Sequence, residues 1–360
     1  MENRYQQKAI ELLVRLISTP SISRQEEAVA LIIEEALRHE GHAPLRIGNN
    51  VWAKSPHWDD ALPTLLLNSH MDTVRPVQGW DSDPYTPIVD EDRIVGLGSN
   101  DAGAPLVTLL YTFVRLSKEP QPYNLVFLAS AEEEISGKGG VEMALRELPP
   151  ITVAIVGEPT EMQPAIAEKG LMVLDCITRG VSGHAARNDG ENAIYKAMAD
   201  IKWFKKYQFA RVSPLLGEVR MQVTMIESGT QHNVIPDACS FVVDVRSTEC
   251  YTNEELYERI ARNVRCEVRA RSFRLNSSGI DRNHPIIRRC VRRGRQPFGS
   301  PTLSDQALMS FPSVKMGPGV SQRSHTANEY ILIREIAEAL ELYHDLLDQK
   351  PIVEQPKTVG

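Results

Sequence analysis

Five short segments of the chain carry histidines and carboxylates where a hydrolytic metal site could use them. Asn68-Ser69-His70-Met71-Asp72 follows the apolar run Thr64 to Leu67. A histidine at the end of a strand can offer one ring nitrogen to zinc, while Asp72 accepts the proton on the other and fixes the tautomer. A surface histidine with an acid nearby fits the same residues. In Gly96-Leu97-Gly98-Ser99-Asn100-Asp101-Ala102-Gly103, Asp101 stands at the mouth of a glycine-rich turn with both oxygens free to bridge two ions. On this segment alone, the N-cap of the helix that follows is the stronger reading. Ala131-Glu132-Glu133-Glu134 sets three acids after the apolar run Asn124 to Leu128. A cation would offset their repulsion, although a solvated loop would tolerate it. With a cation, one Glu could ligate and its neighbour act as general base. Glu158, in Val156-Gly157-Glu158-Pro159-Thr160, follows another apolar run. His325, in Ser324-His325-Thr326-Ala327-Asn328-Glu329-Tyr330, lies just ahead of the last helix. Taken singly, a His or Glu in such places is more often structural than functional.

The elements that must position these groups alternate. Ala9 to Ile17 and Ala28 to Leu37 carry apolar residues at helical spacing, with Ser23 and Glu26 as a capping-box pattern for the second helix. Thr64 to Leu67, Asn124 to Leu128 and Ile151 to Val156 read as short buried strands, and Asp101 opens a helix through Leu116. Strands alternating with helices imply an α/β sheet covered on both faces. From Leu171 to Phe273 the order becomes βαββαβ, a ferredoxin-like unit. After His284-Pro285 the α/β pattern returns and ends in an amphipathic helix from Asn328 to Leu347. The expected organisation is therefore an α/β domain, residues 1–170 and 283–360, interrupted by a smaller α+β domain, residues 171–282. The tail with Pro351, Pro356 and Gly360 is expected to fray.

The segments and their order resemble the dinuclear-zinc amidohydrolase and peptidase family that includes acetylornithine deacetylase, succinyl-diaminopimelate desuccinylase, aminoacylase and glutamate carboxypeptidase. The resemblance spans nearly the whole chain, including the place and element order of the insertion. It implies a zinc-exopeptidase-like catalytic α/β domain with an inserted ferredoxin-like α+β lid and dimerisation domain. It also implies two Zn2+ per chain, with Co2+ or Mn2+ able to substitute. His70 and Glu158 would complete one zinc, Glu134 and His325 the other, and Asp101 would bridge the pair. Asp72 would orient His70, and Glu133 would be the general base. Glu132 takes the leading, non-ligand place in the acidic triplet, and a register one residue away is the alternative. Relatives usually have a basic or small residue after the bridging Asp, where this chain has Ala102. Thr302-Leu303-Ser304-Asp305 matches a turn of relatives only loosely, so Asp305 is given no catalytic role.

Within the insertion, Gly180-Val181-Ser182-Gly183-His184-Ala185-Ala186 looks like the family segment whose histidine reaches into the other subunit's active site and stabilises the oxyanion. Asn233 and Arg246 resemble substrate-holding residues, and the planar fork of Arg246 suits a carboxylate. The plainer readings are a surface salt bridge for Arg246 and a hydrogen-bonded lid histidine for His184. His39, His42, His57, His232, His284 and His344 have no supporting motif.

The composition limits the alternatives. The chain has 360 residues, 42% apolar and 24% charged, which excludes a disordered or collagen-like protein. Its 40 Lys and Arg against 47 Asp and Glu leave −7, so no basic footprint argues for nucleic acid or anionic lipid. No apolar run is long enough to span a membrane, and the polar N-terminus is not a secretory signal. Cys176, Cys239, Cys250, Cys266 and Cys290 form no C-x-x-C pair and read as reduced thiols of a cytoplasmic protein. The length, the single insertion and the Ser-His-Thr-Ala-Asn-Glu-Tyr segment look most like the acetylornithine deacetylase side of the family. The expected substrate is an N-acyl amino acid, such as N-acetylornithine or an acetyl- or succinyl-citrulline of arginine synthesis, and the expected assembly is a homodimer through the inserted domain. Succinyl-diaminopimelate desuccinylation and di- or tripeptide aminopeptidase activity are the alternatives. A metal-free ligand-binding protein that kept the fold is the non-enzyme reading.

Overall fold

The computed structural model of the chain describes residues 2–187 and 189–354. Pro356 and Gly360 of the tail lie outside the described residues. The chain divides into two units, one of Met1–Ile166, Gly279–Phe298 and Ser304–Gly360, the other of Ala167–Ser278 and Gly299–Leu303.

The larger unit is organised by a sheet in which Asn124–Ser130, Thr64–His70 and Val153–Val156 lie side by side and parallel. Asn50–Lys54 flanks them antiparallel on one side, and Ser313–Lys315 extends the parallel set on the other. Every residue of Thr64–His70 and Asn124–Ser130 is buried. That absence of alternation is what a sheet covered on both faces demands. Leu65 and Leu67 point into one apolar cluster and Leu66 into another. Truncating Leu66 to Ala would cost about 2–5 kcal/mol, as for other large-to-small core changes. Helix Ala104–Leu116 is apolar almost all round and packs against both helix Ile333–Leu347 and helix Glu2–Ile17, so it is a core helix rather than a surface one.

Three local expectations are corrected. The Ser23–Glu26 capping box does not form. Ser23 Oγ donates instead to Asp72 Oδ2 at 2.6 Å, and Glu26 accepts the Arg24 N–H at 2.6 Å. The helix expected from Asp101 begins at Ala104, because Asp101 itself is extended (φ −122°, ψ 98°). The last helix begins at Ile333, not Asn328. Asn328 sits in the left-handed region (φ 58°), and Tyr330–Leu332 pairs as a strand with Arg93–Val95.

The smaller unit holds a four-stranded antiparallel sheet in the order Arg220–Ser228, Ala238–Arg246, Met172–Arg179, Glu267–Ala270. Burial alternates along Met172–Arg179, as expected for a sheet packed on one face. Helices Ala193–Lys206 and Asn253–Ala261 supply the other half of its core. Asn192 caps the first by accepting the Ile194 N–H at 2.9 Å, and Thr252 with Glu255 makes a capping box for the second. This is the βαββαβ order read from the sequence.

Candidate metal centre

Parallel pairing brings the chemistry together. His70 lies opposite Ser130 in register, and Asn68 lies opposite Val156. The three strands therefore end at one edge of the sheet, where His70, the Glu132–Glu134 turn and Glu158 emerge side by side. Ligand sites of parallel sheets sit at such carboxyl ends. Gly157 allows the close approach there. A Cβ on it would lie 2.7 Å from Leu109 and 3.0 Å from the Ser69 Cβ.

Asp101 is not a helix cap; Gly103 holds that position. The Asp101 carboxylate lies between two imidazoles. Its Oδ1 is 3.2 Å from His70 Nε2, and its Oδ2 is 3.6 Å from His325 Nε2. His70 Nε2 is also 3.8 Å from Glu158 Oε1, and His325 Nε2 is 3.0 Å from Glu134 Oε2. Ligand atoms of His70, Asp101 and Glu134 all fall within 4.8 Å of one another. Glu132 turns away, its carboxylate accepting the Gly139 N–H at 3.3 Å. His325 holds φ 59°, a left-handed conformation that costs a non-glycine residue about 1 kcal/mol or more. Such strain is common where a side chain must be aimed.

Two buried acids fix this frame. Asp72 accepts the Ser23 hydroxyl and the N–H groups of Glu133 (3.1 Å) and Glu134 (3.2 Å). His70 Nδ1 meets the Asp72 main-chain oxygen at 2.9 Å, with the Asp72 carboxylate 3.5 Å away. Asp72 thus holds both the imidazole and the acidic turn. Glu329 accepts three N–H groups of the Asp101 loop, those of Gly98 (3.0 Å), Asn100 (2.8 Å) and Asp101 (2.8 Å).

The sequence reading gave Glu329 no role, although it lies in the His325 segment and its carboxylate was the available signal. Asp305, also given no role, is buried and accepts the Ser130 hydroxyl at 2.6 Å.

The electrostatics are those of an acidic cluster that lacks compensating charge. Burial pushes Glu158 up to about 8, with Asp101 adding to the rise and His70 and Lys315 opposing it. Burial also drives Glu133 well above the carboxylate range, and Glu158, Asp305 and Glu134 reinforce it against His70. For His70, burial opposes the charge, yet hydrogen bonding to Asp101 and Asp72 raises its pKa well above normal. Hydrogen bonding to Glu134 raises His325 to about 9. Glu158 Oε1 is buried without a hydrogen-bond partner. Imidazoles and carboxylates are the donor set that zinc and similar ions accept. The residues fit a metal group.

The other expected site residues lie in the smaller unit. His184 is exposed, in a two-residue strand paired with Val234–Ile235; its N–H donates to Asp189 Oδ1 at 2.8 Å, and its Nδ1 accepts the Ala186 N–H. The Asn233 main-chain oxygen accepts the Ala185 N–H at 3.1 Å, tying the two segments together. Arg246 is forked onto Asp244 of its own strand, Nε to Oδ1 at 2.8 Å and Nη2 to Oδ2 at 3.1 Å.

Residues 66–349 match Peptidase family M20/M25/M40. The chain belongs to that family. It is a metal-dependent hydrolase, with His70, Asp101 and Glu134 as its candidate metal site. Over 361 residues it is 25% identical to succinyl-diaminopimelate desuccinylase of Corynebacterium glutamicum, covering 94% of this chain and 96% of that protein. Over 380 residues it is 24% identical to acetylornithine deacetylase of Proteus mirabilis, covering 97% and 98%. Among solved structures it resembles the Bacillus subtilis YXEP protein, described as a dinuclear metal binding peptidase of the M20 family. That match has a TM-score of 0.74 at 17% identity and covers 96% of this chain and 98% of the other. Relatives named for different substrates match equally well, so kinship alone favours none of them.

Proposed function

We propose that this protein hydrolyses the amide bond of an N-acyl amino acid of the N-acetylornithine or acetyl- or succinyl-citrulline type, in arginine synthesis. The observation that carries the reading is the Asp101 carboxylate, with one oxygen toward His70 and the other toward His325. His70 and Glu158 would hold one divalent ion, Glu134 and His325 a second, and Asp101 both. Zinc suits the donors, with cobalt or manganese as substitutes. Three protein ligands on each ion leave room for water and substrate. When bound, such ions supply Lewis acidity, which acidifies water and polarises an amide carbonyl.

The chain's own residues do the rest. Glu133, whose pKa its surroundings raise, takes the proton of the attacking water and returns it to the leaving amine. Asp72 holds Glu133 by its main-chain N–H. His184, contributed by a second copy of the chain, would steady the developing oxyanion. Asn233 and Arg246 would hold the substrate, the arginine exchanging Asp244 for a substrate carboxylate. Dimerisation through the smaller unit is supported by exposed apolar side chains on that unit, Met225 (65% exposed) on strand Arg220–Ser228 and Tyr195 (73%) and Met198 (60%) on helix Ala193–Lys206. Five unbridged cysteines support a cytoplasmic setting. Among the described residues, no helix is long and apolar enough to cross a membrane.

The test is amine release by the zinc-supplemented protein from N-acetylornithine, N-acetylcitrulline, N-succinylcitrulline, N-succinyl-diaminopimelate and dipeptides. Preference for an acetyl- or succinyl-amino acid of the first three supports the reading. Preference for the succinyl-diaminopimelate substrate, the second reading carried by the Corynebacterium relative, or for a dipeptide, overturns it.

A further inference from the structure

Helix Pro285–Arg292 and the residue after it carry Arg288, Arg289, Arg292 and Arg293 within six positions. With Lys350, these four arginines line a cavity of about 640 Å³ against the end of helix Ile333–Leu347. Among the described residues two carboxylates face the five cations. Glu354 pairs with Arg288 at 2.7 Å, and Asp345 is shared by Arg293 and Lys350. Arg292 has no carboxylate partner among the described residues. The local excess is therefore positive in a chain whose net charge is −7.

Arg289 is the decisive residue. It is only 8% exposed, and its Nη1 donates to the Pro351 carbonyl at 2.9 Å. Its Nε and Nη2 are buried with no hydrogen-bond partner. Both atoms are closed off from solvent as the cavity stands, and a buried guanidinium with unused donors is costly, so an anion that drew the side chain outward would relieve that cost. Burial, with Arg292 and Arg288 adding to it, already weakens its hold on its own proton. None of the metal-centre residues lines this cavity.

We propose that the cavity is a binding site for a small phosphorylated molecule. Guanidinium forks match the several oxygens of a phosphate bidentately, and clustered arginines are the usual way to hold a multiply charged anion. The volume falls within the roughly 300–1,000 Å³ of small-molecule sites. Among the described residues no aromatic side chain lines it, so the phosphate groups, not a stacked ring, are what the site recognises.

The test titrates fructose bisphosphate into the full-length, zinc-loaded protein at constant ionic strength, by calorimetry. Tricarballylate, three carboxylates and no phosphate, serves as the comparison anion. Saturable binding of the bisphosphate is expected, with tricarballylate at least about tenfold weaker. Arg292→Glu, at an exposed position that leaves folding intact, should weaken the bisphosphate about tenfold or more without changing zinc content. Arg289→Gln should do the same. No binding to the unaltered protein, or equal binding to Arg292→Glu as a metal-bound phosphate would show, overturns the proposal. So does tricarballylate binding as tightly as the bisphosphate.

Discussion

In the larger unit, buried carboxylates anchor the segments that carry His70, Asp101, Glu133 and Glu134. Asp72 takes three donors, Glu329 takes three more, and the strands beneath are wholly buried. In the smaller unit, His184 is exposed on a two-residue strand, and Arg246 is already occupied by Asp244. The contrast separates two ways of building function. A centre that concentrates like charges must be anchored by the backbone, because its components repel one another. A group that acts only when substrate or a second copy is present can stay solvated and satisfy itself locally meanwhile. The first kind specifies the chemistry, and the second can tune selectivity and rate.

The contrast can be broken most sharply at Glu133. Glu133→Gln should retain bound metal by elemental analysis while kcat falls roughly 10²- to 10⁴-fold, the range for loss of a general base. Full activity in that variant would remove Glu133 from the chemistry. The next largest effect is expected at His184. His184→Ala should lower kcat about 10²- to 10³-fold with metal content unchanged, as for loss of an oxyanion donor. Mixing the two inactive variants sharpens the point. If His184 acts across a dimer, mixed dimers hold one complete site and regain activity; if it acts within its own chain, the mixture stays inactive.

Removing an anchor should matter less. Glu329→Gln keeps one acceptor oxygen for the Asp101 loop but turns the other into a donor that faces an N–H group, and metal affinity by competition with a chelator should fall about 10- to 100-fold. An unchanged affinity would show that the loop holds itself.

The smallest effect is the pH dependence of the chelator-treated protein. Glu158 (raised to about 8) and His325 (raised to about 9) keep their protons above the pH at which they lose them in the unfolded chain. The stabilisation this brings is complete below the unfolded pKa values and is lost as pH rises through the folded ones. The melting temperature of the metal-free protein should therefore drop as pH rises from about 4.5, the unfolded value of Glu158, to about 9, the folded value of His325. Metal must displace the same protons, so its affinity should rise over that window. Parallel melting curves with and without metal would contradict both statements.

Much of the centre was legible because its residues are short-range exceptions to ordinary strand and loop chemistry. A histidine or glutamate just after an apolar run, repeated in three of the five segments (His70, Glu132–Glu134 and Glu158), marks strand ends that need polar groups. Glu329 escaped because its role is to receive three N–H groups from a loop some 230 positions earlier, a contact no local pattern encodes. Ser23 was misread for a related reason. Its spacing to Glu26 satisfies a capping rule, but the buried Asp72 carboxylate, 49 positions on, competes for the same hydroxyl and wins.

Hydropathy pattern was enough to set the α/β alternation and the βαββαβ insertion, while the candidate ligands took their roles from the resemblance that five segments in order carry. Periodicity acts over a few residues, and so it reaches the elements and not the contacts between them. Only the tertiary structure decided that Asp101 leaves the helix to stand between two imidazoles, and that Arg246 pairs with Asp244. Only there do the arginines of helix Pro285–Arg292 and a distant lysine converge on one cavity. Each of these depends on which distant charge comes within a few ångströms, and parallel pairing and helix packing settle that after the local patterns have been satisfied.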